Sequence, residues 1–161
     1  RNNNRNNNYN NNNNNNRNHN RNHNDKNNKL KKYNFDSSSW SELHYNCVNG
    51  FTINALNLIK SGMYIDIVDK YGLTPLHLTC ICGYTRLPEI LIKEGANINK
   101  PNKFGITPLH IAACSGHVLL VKLLLQYGAN KNLEDEGMLL PFDYTRNKHL
   151  NNYIQIAELL A

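Results

Sequence analysis

The chain has no run of 18 or more apolar residues and no hydrophobic stretch near its start, so neither a membrane-spanning helix nor a secretory signal is expected from its residues. Cysteine is scarce: Cys47, Cys80, Cys82 and Cys114 are the only four. They do not make a disulfide framework, because Cys80 and Cys82 are two apart in a stretch of helical character, where such neighbours point away from each other. Scattered thiols among small apolar residues fit a reducing compartment, so an intracellular location, cytoplasmic or nuclear, is expected. The sequence also lacks a phosphate-cradling glycine loop, a serine elbow and any carboxylate pair without a structural explanation. No catalytic residue is therefore nominated, and the chain is not expected to be an enzyme.

Apolar residues are nearly missing from the first part of the chain. Nineteen of the first 28 residues are Asn, and the first aliphatic side chain is Leu30. Such a stretch has little to bury against a backbone entropy cost of roughly 1–2 kcal/mol per residue. Residues 1–35 are read as a disordered, Asn-rich, low-complexity tail. Its four-residue periodicity (Arg1 and Arg5, then Arg17 and Arg21) suits a passive spacer. The tail holds eight Lys or Arg and one acid, a balance of +7 within a total of +6, so the remainder carries −1. Attraction to nucleic acid is an option for the tail alone, and nucleic acid is not the expected partner of the rest. No Met opens the sequence, which raises the reading of a fragment or processed piece.

What the remainder does have is a repeat. Thr74-Pro75-Leu76-His77 returns as Thr107-Pro108-Leu109-His110, 33 residues later. The same step leads back to Ser41-Glu42-Leu43-His44 and forward to Leu140-Pro141-Phe142-Asp143. Gly50, Gly83 and Gly116 keep that spacing, as do Gly62, Gly95 and Gly128. With Asp36, Asp69, Asn102 and Asp135 opening the units, the boundaries fall at 36–68, 69–101, 102–134 and a shorter 135–161.

Each unit reads as two short helices. Thr74 and Thr107 suit a capping position, and Pro75 and Pro108 suit the first helical residue, where a missing N–H costs nothing. Gly83 and Gly116 offer a stop. The second helix, clearest at Val118–Leu125, is too apolar for a helix covered on one side only. Neighbouring units must stack to complete a shared core, with Leu43, Leu76, Leu109 and Phe142 in equivalent places.

At these residues the chain resembles the ankyrin repeat family, whose unit has this length and this Thr-Pro-Leu-His signature. The third unit carries nearly the full pattern, from Gly105-Ile106-Thr107-Pro108-Leu109-His110 through Gly116-His117 to Gly128-Ala129-Asn130. The resemblance covers residues 36–161. It implies an all-α ankyrin repeat solenoid of about four helix-turn-helix repeats, with short hairpin-like turns between them. Departures fall at Ser41-Glu42, at Cys47 and Cys80, at Pro88, and in the fourth unit, where His149 stands for Gly and a C-terminal cap or a truncated repeat is expected.

The resemblance further implies that the signature histidines His44, His77 and His110 are structural. His110, Cys114 and His117 have helical spacings a zinc ion could use, but Gly116 is expected to end the helix before His117. No metal or cofactor is expected. The acids Glu134, Asp135 and Glu136 read as a solvated turn.

By the same resemblance, the turn tips and first helices form a concave surface that binds a protein partner. Its variable positions are Lys70, Tyr71, Leu73, Ile81 and Cys82 in the second unit and Lys103, Phe104, Ile106, Cys114 and Ser115 in the third. Trp40 joins them from the first unit and Leu139 from the fourth. Aromatics give large contact area at small entropic cost. The competing role for Tyr71 and Phe104 is packing between adjacent turns, and for Trp40 it is covering the end of the stack. The function expected is a non-enzymatic adaptor or regulator, monomeric, that binds a protein. Two alternatives are a regulatory ankyrin segment of a larger enzyme or membrane protein, such as an acyltransferase or kinase, and weak nucleic-acid binding through the tail.

Overall fold

The computed structural model describes residues 37–146 and 150–161. The Asn-rich segment 1–35 and His149 lie outside the described residues. Within them the regular structure is entirely helical, with seven α-helices and two 3₁₀ helices.

Three tetrapeptides start the first helix of their units in one way. The Thr74 backbone N–H donates to His77 Nδ1 at 3.1 Å, while the His77 backbone N–H faces Thr74 Oγ1 at 3.4 Å. This reciprocal pair occupies two of the backbone donors that a helix start would otherwise leave without partners. Ser41 with His44 and Thr107 with His110 repeat it, the cap N–H reaching Nδ1 at 3.1 Å in both. Ser41 thus caps as the threonines do, although no proline follows it. The helices that begin there are α1 (Glu42–Asn49), α3 (Pro75–Cys82) and α5 (Pro108–Cys114).

A second helix follows each: α2 (Thr52–Lys60), α4 (Arg86–Lys93) and α6 (Val118–Gln126). Pro88 is the third residue of α4, inside the first turn, where its missing N–H removes no intrahelical bond. The first helices stack in a row, α1 on α3 and α3 on α5, and each second helix packs against the first helix of its own unit.

Leu43, Leu76 and Leu109 are buried at equivalent positions, and they join Leu91, Leu120, Leu124 and Ile156 in one continuous core. Burying a leucine fully is worth about 1.5–3 kcal/mol, and here that burial is completed across unit boundaries.

The fourth unit differs. Its first helix is a 3₁₀ segment, Pro141–Thr145, and Phe142 is only partly buried against the core. Its second helix, α7 (Asn151–Leu160), arrives three residues late. Tyr84 lies over Gly50 and His117 over Gly83, 33 residues apart; the residue over Gly116 is Tyr153, 36 further on. The added length falls between the 3₁₀ segment and α7. The 33-residue register therefore holds through Asp143 and fails beyond it.

Candidate functional site

Short hairpin turns link the units, and one side chain builds each of them. Asp69 Oδ1 accepts from the backbone N–H of Tyr71 and of Leu73, both at 2.9 Å. Asn102 Oδ1 does the same for Phe104 and Ile106, and Asp135 Oδ1 for Gly137 and Leu139. The backbone closes each turn, with Asp69 donating to the Leu73 carbonyl at 3.0 Å, Asn102 to Ile106 at 2.9 Å and Asp135 to Leu139 at 3.0 Å. Only the second and third residues of the turn are left at the tip: Lys70 and Tyr71, Lys103 and Phe104, Glu136 and Gly137.

Two sets of bonds hold successive tips in a row. Lys103 N–H donates to the Tyr71 carbonyl at 3.1 Å and Glu136 N–H to the Phe104 carbonyl at 3.0 Å. At the other end of the row Lys70 N–H donates to Ser39 Oγ at 3.0 Å. Beneath the tips, the signature histidines reach forward to the next turn: His44 Nε2 lies 2.9 Å from the Leu73 carbonyl, His77 Nε2 3.0 Å from that of Ile106, and His110 Nε2 3.1 Å from that of Leu139. With Nδ1 accepting from the cap N–H, the neutral imidazole carries its proton on Nε2 and donates it to the carbonyl. Burial lowers the pKa of all three, His77 to about 4. Both nitrogens of His110 are engaged in this way, which leaves no lone pair turned toward Cys114 or His117.

A substituent at the tip glycine would meet the next turn. A Cβ at Gly72 would stand 2.7 Å from the Lys103 nitrogen, and one at Gly105 would stand 2.8 Å from Asp135 Cα. Both glycines have positive φ, 80° and 74°. In the fourth turn the glycine has moved back one place, to Gly137, and Met138 adopts φ 60° where the earlier turns have glycine. Asp143 stands in the histidine position and accepts from the Leu140 N–H at 2.9 Å. A carboxylate has no proton to pass to a further carbonyl, and Asp143 pairs instead with Arg146 at 3.0 Å.

The expected surface residues separate into two groups. Lys70, Lys103, Phe104 and Leu139 are exposed, Phe104 by 51 % and Leu139 by 43 %, and Tyr71 and Ile106 are half-buried beside them. Lys70 Nζ stands 5.1 Å from the Tyr71 ring centroid, a cation held over an aromatic face. Leu73 and Ile81, by contrast, are 3 % and 4 % exposed. Leu73 follows the tip on the strand that returns to the core, and Ile81 lies in α3, which α1 and α5 cover from both sides. Neither offers its side chain to a partner, which corrects the expectation for these two. Trp40 is half-buried, its indole N–H donating to Asp69 Oδ2 at 3.3 Å, so it braces the first turn. Ser115 is half-buried at the far end of α5, away from the tips.

The sequence reading missed Met138, 76 % exposed, and Tyr45 on α1, 54 % exposed. The signal for Met138 was available in the one-residue displacement of glycine between 102–106 and 135–139. At the other end of the first helices, a depression of about 290 Å³ is lined by Gly50, Thr52, Gly83 and the Tyr84–Leu87 segment, with Arg86 its one charged group. The buried Cys47 thiol is pushed up to about 12, so it stays protonated and is a poor nucleophile.

Paired helices in register, a shared core and hairpin tips in a row define a helical repeat solenoid. The ankyrin repeats family, in three copies, matches residues 43–135, more than half of the chain, and the chain belongs to that family. Ankyrin repeats are in general protein–protein interaction modules. The match stops where the fourth turn departs from its predecessors. No curated protein matches the chain. No helix among the described residues is long and apolar enough to cross a membrane.

Proposed function

We propose that the chain is a non-enzymatic adaptor or regulator that captures a protein partner on its row of turn tips. The observation that carries this reading is the exposure of Lys70, Tyr71, Lys103 and Phe104 on turns whose backbones are already fully hydrogen-bonded to one another. Such a surface is ordered before binding, so little entropy is lost on docking. The aromatic tips supply apolar area, and the flanking lysines supply orientation. Segment 1–35 serves as a spacer ahead of this binding domain.

Affinity capture with the full chain and with a Tyr71→Ala, Phe104→Ala double variant tests the proposal. Partners recovered by the parent protein should be lost from the variant while its melting temperature stays within a few degrees. Equal recovery by a folded variant would remove the tips from the role.

A further inference from the structure

The tips carry charge in a fixed order. Lys70, Lys103 and Glu136 hold the same place in successive turns, and all three are exposed. Glu134 adds a second exposed acid at the last turn. Beside the lysines stand Tyr71 and Phe104; beside Glu136 stands Gly137. The surface thus runs plus, plus, minus, with aromatic rings flanking its positive part.

The hydrogen bonds also fix the spacing of this row. Each unit contributes the two strands of one hairpin, bonded to each other and to the next hairpin. Bonded strands lie about 4.7–4.9 Å apart, so equivalent tips repeat roughly every 9.5 Å. A polyproline II helix has three residues per turn and a rise of about 3.1 Å, placing every third side chain on one side about 9.3 Å apart. A β-strand sends residues three apart to opposite faces, and α-helical residues seven apart are about 10.5 Å apart, which loses the match over three tips. Aromatic surfaces are also the usual seat of polyproline II segments.

Resting on the binding role proposed above, we infer that the partner segment is a polyproline II stretch. It carries an acid, an acid and a base at three-residue intervals, opposite Lys70, Lys103 and Glu136 in turn. Because a polyproline II helix can dock in either chain direction, the order of charges matters and the peptide polarity does not.

Chemical-shift titration of the full chain at low salt tests this with three peptides. The matched peptide is Glu-Pro-Pro-Glu-Pro-Pro-Lys, and its permutation Glu-Pro-Pro-Lys-Pro-Pro-Glu sets the base against Lys103 in either direction. The matched peptide should shift the amides of Lys70, Tyr71, Lys103, Phe104 and Glu136 and bind about ten-fold tighter than the permutation, a preference that added salt erodes. A Lys103→Glu variant should instead prefer Glu-Pro-Pro-Lys-Pro-Pro-Lys. Absent binding, equal binding of the first two peptides, or no change of preference in the variant would overturn the inference. If capture of protein partners still required Tyr71 and Phe104, the surface would stand and only the polyproline ladder would fall.

Discussion

The imidazole of His77 donates from Nε2 to the carbonyl of Ile106, 29 residues ahead, at 3.0 Å, and so fastens one helix start to the next turn. The same ring accepts the Thr74 N–H, which requires a neutral Nδ1. Protonation would replace that acceptor with a donor inside a buried site.

Stability should therefore fall in acid. Burial holds the folded His77 pKa at about 4 against an ordinary 6.5, so the unfolded chain binds the proton first. The stabilisation is complete above about pH 6.5 and is lost as the pH falls toward 4, about 3 kcal/mol from this residue. His44 and His110 shift in the same direction and add to the slope. Urea unfolding at a series of pH values measures it, and a flat profile across this window would refute the neutral ladder.

Glycine at the turn tips is a packing requirement in the inner turns and is absent from the last. Gly72→Ala brings a Cβ within 2.7 Å of the Lys103 nitrogen at positive φ, and should cost about 2–4 kcal/mol. Met138→Gly relieves a left-handed residue with no following turn against it, and should gain up to about 1 kcal/mol. Thermal melts of the two variants should move in opposite directions.

Asp69 serves three donors: the N–H groups of Tyr71 and Leu73 at Oδ1 and the Trp40 indole at Oδ2. Asn102 builds its turn with an amide oxygen alone. Asp69→Asn should accordingly cost about 1 kcal/mol, the loss of the indole bond, while Asp69→Ala strands the Leu73 N–H and should cost about 2–4 kcal/mol. Denaturant titration separates the two. Equal losses would mean that the carboxylate charge, rather than the acceptor geometry, holds the turn.

Much of this fold was legible before any coordinates. A cap, a proline and a histidine at fixed spacing announce a helix start, because each satisfies a local backbone need that does not depend on the rest of the chain. Exposure was harder to read. Leu73 and Ile81 occupy positions that the repeat pattern marks as variable, but whether such a position is open depends on how the neighbouring units cover it, which a single unit's sequence does not encode. The second half of the fourth unit was hidden for another reason: a three-residue addition shifts Tyr153 out of the register that Tyr84 and His117 share. Met138 was readable only by aligning the three turns and asking what displaced the glycine.

Hydrogen exchange on the full chain, alone and with a captured partner, measures the central claim most directly. The account predicts slowed exchange at the amides of Lys70, Tyr71, Phe104 and Gly137, with the second helices α4 and α6 unchanged. Protection confined to α4 and α6, with the tips exchanging as before, would contradict it.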